Sequence, residues 1–374
     1  MNHLTGKPIR NPNIIDFWRG FSLVEIFINH SDIVFSYFTH RQFSLSDAAD
    51  AFVFLSGWAL FLASASDRPA SDLKPVRLKL IKRFFQIYIA QISIVLLSYC
   101  IVYVTIADIS SFDNFSLIYS FSEDVLENFK GLLLLSYQPF LIDIFPMYAI
   151  FIAFSIIFLP FSKYKYIVIF VSLIIYVICF SFNINFHRIP GDGLWSFNPL
   201  TWQLTFFLGF VLASSKGIGG LVRRHLSLLR ILFAPLVLAS MAVDIFPGFF
   251  YTSFSGETVF GHLVSKQDNG PIRVVSFLLL IVYAAPLYAY VTKRFHAVDR
   301  FLSLLGRNSL LVFSLLTLLS VSVQIARREF GHPLLLDAFI LVSGLVILWS
   351  AATVAERRKH AQRTSSIRAL SEET

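Results

Sequence analysis

Long apolar runs separated by short polar segments dominate the chain. A helix needs roughly 20 residues to cross the hydrocarbon core of a bilayer, and ten runs approach or exceed that length. They lack the alternation of period two that marks strands, so they predict helices. The pattern predicts an all-α, polytopic membrane bundle in one domain over residues 1–374, with short tails at about 1–14 and 356–374. The predicted spans lie roughly at 15–38, 48–65, 80–107, 139–161, 165–182, 200–215, 226–247, 271–292, 301–323 and 334–355.

The composition supports a membrane protein and argues against other classes. Hydrophobic residues make up 56% of the chain and charged residues only 14%, against about 25% charged residues in a typical soluble domain. The formal net charge is +8, but the cations lie in short loops between apolar runs, so they indicate membrane orientation and not a nucleic-acid partner. Both cysteines, Cys100 and Cys179, fall inside apolar runs, and metal-ligand motifs are absent. We therefore expect no bound metal and no permanently bound cofactor.

The loops also predict an orientation in the bilayer. If both termini lie on one side of the membrane, that side carries 24 of the 31 Lys and Arg residues and the opposite side carries 7. Because cytoplasmic loops are enriched in Lys and Arg, both termini are predicted to be cytoplasmic. The opposite face has longer and more varied loops, which suits the binding of a substrate from outside.

The first predicted span carries several polar residues in the segment DFWRGFSLVEIFINH. Arg19 and His30 are eleven residues apart, so on a helix they share one face about 16 Å apart, and Asp16 lies near the same stripe. Ionisable groups inside a bilayer are costly, so this face is expected to point into the bundle and to carry function. The alternative is structural, with Asp16 and Arg19 paired at the membrane edge and His30 in an interhelical hydrogen bond.

Two acids stand at the start of the second span. Asp47 and Asp50, in RQFSLSDAADAFVFLSGW, follow His30 after a short loop, so contact with the imidazole is expected. A neighbouring carboxylate fixes the tautomer of an imidazole and makes it a better proton acceptor, which suits a general base with two catalytic acids beside it. The alternative is helix N-capping by Asp47, with Asp50 facing inward.

A basic cluster opens the third span in RLKLIKRFFQIYIAQ. As an orientation signal the cluster needs no further explanation. The functional alternative is a site for the phosphates of a cytosolic donor, because polar residues continue from the cluster into the membrane. Its candidate residues are Arg77, Lys79, Lys82, Arg83, Gln86 and Tyr88.

Several later spans also begin with polar residues. A charged group such as Asp143 or Arg273 at such a position can simply extend toward the membrane interface. In the functional alternative, these residues bind an acceptor substrate. Motifs of soluble enzymes, such as a nucleophile elbow, a phosphate-binding loop or a zinc-protease helix, are absent. The candidates for the acceptor site are Asp143, Asn198, Trp202, Gln203, Lys266 and Arg273.

Taken together, these strings resemble a known family. The Arg and His of DFWRGFSLVEIFINH, separated by ten residues, are similar to the first-span signature of the acyltransferase-3 superfamily. Five further strings more specifically resemble its OpgC-type branch, in order, over about Asp16 to Ser314. That branch consists of inner-membrane enzymes that put succinyl groups on osmoregulated periplasmic glucans. The strings are FSLSDAADAFVFLSGW, YQPFLIDIFPMY, FNPLTWQLTFFLG, GPIR and LLGRNSLLVFSL.

The resemblance implies a ten-span acyltransferase that uses cytosolic succinyl-coenzyme A and a glucose hydroxyl of a periplasmic glucan. His30 would be the general base, and Arg19 would hold the donor together with the basic start of the third span. Arg83 matches the first arginine of the superfamily's Arg-x-x-Arg element. Gln86 stands in place of the second arginine, which weakens a donor site carried over from the wider superfamily. The cations available for a succinyl carboxylate on the acceptor side are Lys266, Arg273 and Arg188.

Three alternatives stay open at the level of the sequence. The reaction could pass through an acyl-histidine intermediate on His30. The acyl group could be acetyl, and the acceptor another surface polysaccharide. A transporter is a competitor from a different class, but many transporters show internal repeats with broken spans in matching halves, and the chain has no such repeat.

Overall fold

A computed structural model describes residues 13–39, 45–64, 73–105, 124–191, 193–245 and 257–372. Within these ranges the backbone forms fourteen α-helices and two short 3₁₀ segments, together with one isolated bridge between His187 and Leu194. The predicted all-α class is therefore confirmed. The helices are α1 Ile14–His30, α2 Ala48–Ser64, α3 Leu73–Thr105, α4 Val125–Leu133, α5 Ile144–Phe158, α6 Lys165–Ser181, α7 Pro199–Leu212, α8 Ile218–Arg224, α9 Leu226–Ile245, α10 Glu257–Leu263, α11 Pro271–Arg294, α12 His296–Arg307, α13 Ser309–Phe330 and α14 Leu334–Glu372.

The burial of side chains along these helices is that of a membrane protein. On α6, for example, Ser172 is 2% exposed, whereas Phe170 is 62% and Leu173 is 47% exposed. Contiguous apolar surface of this kind is rare on soluble monomers and marks a face covered by lipid or by another protein. In the described residues, five helices are long and apolar enough to cross a membrane, and the pair α8 and α9, bent by 82°, makes a sixth candidate. The five long segments are Leu73–Thr105, Ile144–Phe161, Pro271–Arg294, Ser309–Phe330 and Leu334–Gln362.

One helix lies at a different position from its predicted span, and the last helix is longer than predicted. The span predicted at 301–323 is interrupted at Asn308, where α12 ends and α13 begins, so the long apolar helix is Ser309–Phe330. The last helix continues to Glu372, although its final turns lie in the region predicted as a tail. The number of ten spans stays a prediction.

Residues 1–36 and 284–374 form one compact unit. In it, α1 packs along α12 at close range, because a methyl group on Gly20 would lie only 1.9 Å from the carbonyl oxygen of Leu302. Gly306 stands in the same relation to the carbonyl oxygen of Asp16. These glycines let the two backbones approach, as small residues do between membrane helices.

Residues 37–283 form the second compact unit. Here α2 and α7 approach in the same way, since Gly57 faces the carbonyl oxygen of Phe206 and Gly209 faces that of Phe54. Gln203 of α7 hydrogen-bonds Ser172 of α6, so polar side chains connect these helices inside the unit. The prediction of a single domain over the whole chain is not tested by this division.

Candidate functional site

The first candidate cluster lies on α1 and its neighbours in the first unit. Asn13 caps α1 by accepting from the backbone N–H groups of Ile15 and Asp16, and its amide donates to the Asp16 carboxylate over 2.8 Å. Arg19, half-buried one turn later, donates to the hydroxyl of Ser309 at the start of α13 over 2.8 Å. The N-terminal half of α1 is therefore anchored by its own cap and by α13.

His30 is the last residue of α1 and is half-buried. Its backbone carbonyl accepts a hydrogen bond from Nε2 of Gln324 on α13 over 2.6 Å. Since Arg19 meets the start of α13 and His30 meets a residue fifteen positions further along, α1 and α13 run parallel. The side chain of Arg19 and the backbone of His30 thus both contact α13, and the predicted stripe of functional side chains stays a prediction.

A buried ion pair lies near the C-terminal end of α1, and the sequence analysis did not predict it. Arg327 of α13 donates to the carboxylate of Asp337 on α14, and the side chains are 2% and 0% exposed. Asp337 also accepts from the backbone N–H of Val34 over 2.7 Å. The signal in the sequence that could have indicated this pairing is the presence of opposite charges ten residues apart, on either side of Gly331.

The second candidate cluster lies at the start of α2 in the second unit. Asp47 accepts from the backbone N–H of Ala49 over 2.9 Å, and Asp50 accepts from the backbone N–H of Asp47 over 2.9 Å. This reciprocal arrangement is a capping box with Asp in the place of the usual Glu or Gln. The capping alternative for Asp47 and the inward orientation of Asp50 are therefore both found.

Arg273 of α11 binds these two acids. Its guanidinium donates to the two carboxylate oxygens of Asp50 over 3.2 and 2.5 Å and lies 3.0 Å from a carboxylate oxygen of Asp47. A third donor reaches the carbonyl oxygen of Leu45 over 3.1 Å. Arg273 is 3% exposed, so this is a buried, bidentate ion pair whose donors are engaged within the protein.

Lys266 completes the charge balance of the cluster. Its ammonium lies 2.8 Å from the second carboxylate oxygen of Asp47, and its side chain is 39% exposed. Burial alone would raise the pKa of Asp47, but the charges of Arg273 and Lys266 outweigh burial and hold that pKa well below its usual range. Two acids and two cations therefore face each other, and Lys266 is the more accessible of the two cations.

Trp202 and Asn198 connect this cluster to the loop before α11. The indole N–H of Trp202 donates to the carbonyl oxygen of Lys266 over 2.9 Å, and the Arg273 guanidinium lies over the indole ring at 5.6 Å. Asn198 caps α7 and donates to the carboxylate of Asp268 over 3.1 Å. Asn198, Trp202 and Gln203 are each at most 1% exposed.

Asp143 precedes α5 in the same unit. Burial raises its pKa, and this outweighs the opposing effects of Lys266, of a hydrogen bond from Ser196 and of Arg188. The charge of Lys266 thus lowers the pKa of both Asp143 and Asp47, so these two predicted site residues lie near the same cation. Ser196 was not among the sequence candidates, and nothing in its local sequence distinguishes it from other loop serines.

The candidate donor residues are spread along α3. Arg77, Lys79, Lys82 and Gln86 are exposed and Arg83 is half-buried. The hydroxyl of Tyr88 donates to the carbonyl oxygen of Leu133 over 2.8 Å. One turn further, Gln91 donates to the carbonyl of Ile142 just before α5, so Tyr88 lies toward the end at which α5 begins.

The remaining predicted features concern His30 and metal binding. The acids Asp47 and Asp50 are held by Arg273, and their expected support of His30 stays a prediction. Among the residues that the structure describes, His, Cys, Asp and Glu side chains form no group of three or more that could hold a metal ion.

These features define a polytopic helical membrane protein whose polar side chains are bonded to one another between helices. Comparison with protein families then identifies the family: the model described as OpgC protein matches residues 10–360, nearly the whole chain. The chain belongs to the OpgC family, and the resemblance predicted from its motifs is confirmed. Searches of curated proteins and of solved structures give no significant match.

Proposed function

We propose that the chain is a membrane-bound O-acyltransferase that moves a succinyl group from cytosolic succinyl-coenzyme A to glucose hydroxyls of osmoregulated periplasmic glucans. The observation that carries the proposal is the family match over residues 10–360, which includes every candidate residue from Arg19 to Arg273. The position of His30, half-buried at the end of α1 with its backbone held by α13, supports a role for its imidazole.

His30 acts as the general base in this proposal. A neutral imidazole nitrogen accepts the proton of the glucose hydroxyl while the hydroxyl oxygen attacks the carbonyl carbon of the thioester. The tetrahedral intermediate collapses, the carbon–sulfur bond breaks, and coenzyme A leaves as the thiol with the proton returned by the imidazolium. An imidazole can perform both transfers because it titrates near neutral pH.

The donor is proposed to bind at the start of α3. Arg77, Lys82 and Arg83 are exposed or half-buried there, and cations bind phosphate oxygens by charge-assisted hydrogen bonds. Gln86 is exposed one turn beyond Arg83, so its amide is available to the same donor. Arg19 joins the donor site on the strength of the family resemblance, and Tyr88 supports the site from α3.

The acceptor side is proposed to use the cluster around Arg273. Lys266 is its accessible cation and would bind the succinyl carboxylate in exchange for Asp47, and Asp143 would accept from a sugar hydroxyl. Arg273 has its donors engaged, so in this proposal it fixes the shape of the site. Asn198, Trp202 and Gln203 share that supporting role.

The proposal includes ten spans in the bacterial inner membrane, with both termini cytoplasmic and the acceptor side facing the periplasm. Besides the five long helices and the bent pair, the described residues contain three apolar helices of 10–17 residues, Ala48–Ala63, Lys165–Ser181 and Pro199–Leu212. With α1, whose 17 residues include Asp16, Arg19, Glu25 and His30, these segments occur in the order of the ten predicted spans.

The test is acyl transfer by purified protein in proteoliposomes. Succinyl-coenzyme A and glucan from cells lacking the gene are supplied, and the mass gain of the glucan is followed. His30→Gln keeps a hydrogen-bonding side chain but removes the base, so the rate should fall by about 10²–10⁴. The matched control is His262→Gln, because His262 is also half-buried and stacks on Phe180.

Two results would contradict the proposal. Transfer by His30→Gln at the wild-type rate would exclude His30 as the base. A preference for acetyl-coenzyme A when both donors compete would exclude the succinyl group and favour O-acetyl transfer.

A further inference from the structure

The end of α1 is tied to two neighbouring helices through its backbone. Gln324 of α13 donates to the carbonyl oxygen of His30 over 2.6 Å, and the N–H of Val34 donates to Asp337 of α14 over 2.7 Å. Asp337 is held in turn by Arg327 in the buried ion pair. The chain is therefore fixed at His30 and again four residues later.

These contacts lie at the C-terminal end of α1, where the backbone of a helix is held least firmly. The last four carbonyl groups of a helix have no partner within it, and helix ends fray. His30 is the final residue of α1, so its carbonyl is one of these groups. Proton transfer requires hydrogen-bond distances between the base and the hydroxyl, and small displacements of catalytic groups cost large factors in rate.

We propose that Gln324, Arg327 and Asp337 are positioning residues that hold the imidazole of His30 in place through the backbone of residues 30–34. This inference rests on the proposed role of His30 as the general base. Gln324 fixes the residue itself. Asp337 fixes the turn after it, and Arg327 fixes the orientation of the Asp337 carboxylate by a charge-assisted hydrogen bond.

A matched pair of variants of the full-length protein separates positioning from stability. Gln324→Met removes the donor to His30 with little change in side-chain size. Tyr283→Phe removes the same kind of bond, from a half-buried side chain to the backbone carbonyl of Arg230, away from the proposed site residues. We expect kcat to fall about tenfold or more in Gln324→Met, with the KM for succinyl-coenzyme A within about twofold, while Tyr283→Phe keeps both values within about twofold. Equal kcat losses in the two variants would overturn the proposal.

A second pair of variants tests the contact to Val34. The double change Arg327→Met with Asp337→Asn removes both buried charges but keeps an oxygen that accepts from Val34. Arg327→Met with Asp337→Leu removes the charges and the acceptor. The first should lose kcat about threefold, because Arg327 no longer orients the oxygen that accepts from Val34, and the second should lose about tenfold or more. The same kcat in both would show that Asp337 does not act through Val34.

The decisive measurement repeats Gln324→Met in a protein that already carries His30→Gln. If Gln324 acts through the imidazole, it has nothing left to position, so the residual rate should change less than about twofold. A further tenfold loss would mean that Gln324 acts independently of His30 and would overturn the inference. A fully active His30→Gln protein is a separate outcome, because it refutes the proposed function itself.

Discussion

Replacing Arg273 with Met tests how much the buried ion pairs of the second unit contribute to stability. The substitution removes the bidentate contact with Asp50, the contact with Asp47 and the hydrogen bond to Leu45. It leaves two carboxylates in a site where Asp50 is fully buried. Removing one partner of a buried ion pair typically costs about 3–5 kcal/mol, which lowers the folding equilibrium constant roughly 100- to 4,000-fold.

Lys266→Met is the matched control because it removes a cation from the same Asp47. Its side chain is 39% exposed, and pairs of this kind contribute only about 0–1 kcal/mol. The two variants therefore lose the same type of charge but should differ several-fold in their effect on the free energy of unfolding. Neutralising the acids as well, by Asp47→Asn and Asp50→Asn, should recover part of the loss in Arg273→Met, since the stranded charges are then gone.

The free energy of unfolding can be measured by titrating the protein from mild detergent into sodium dodecyl sulfate and following tryptophan fluorescence. We expect Arg273→Met to unfold at a much lower denaturant fraction than Lys266→Met. A loss below about 1 kcal/mol for Arg273→Met would refute the reasoning, because it would mean that solvent or rearrangement compensates the acids in the folded state. If neutralising Asp47 and Asp50 leaves the stability of Arg273→Met unchanged, the loss of stability does not come from unpaired buried carboxylates.

Two further predictions address donor binding and topology. Arg83→Ala should raise the KM for succinyl-coenzyme A and reduce the dependence of that KM on ionic strength, since charge pairing is screened by salt. Equal effects from Arg294→Ala, which removes a cation at the end of α11, would mean that the basic cluster serves only as an orientation signal. Reporters at Thr374 and at Asn183 should label opposite sides of the membrane, and labelling on the same side would contradict ten spans.

Local signals in the sequence predicted most helices but not the pairing between them. The apolar runs identified α3, α5 and α11, because a bilayer imposes helix length and composition directly on the sequence. For the acids at the start of α2, the structure shows the alternative in which Asp47 caps the helix and Asp50 faces inward. Their pairing with Arg273, 223 residues after Asp50, depends on how distant helices pack, and no local pattern encodes that.

The break at Asn308 shows how an apolar run can conceal two elements. The run continues across residues 301–323, so its length suggested one span, although Gly306, Arg307 and Asn308 interrupt it. In the structure Gly306 packs against the backbone of Asp16, and α12 lies along α1. The interruption reflects a tertiary contact of α12, which hydropathy alone cannot distinguish from an ordinary polar residue within a span.

Exposure divides the polar residues of this bundle into two sets that differ in what they can do. Arg273, Asp50 and the Arg327–Asp337 pair are closed off from the surface and bonded within the protein, which reduces the cost of charge in an apolar environment. His30 and Lys266 remain partly exposed, so they can reach a substrate without breaking the fold. A polar residue in a membrane helix is therefore not by itself a catalytic residue. Arg273 and Asp50 should respond to substitution through stability, and, if the proposed function holds, His30 and Lys266 through the rate of acyl transfer.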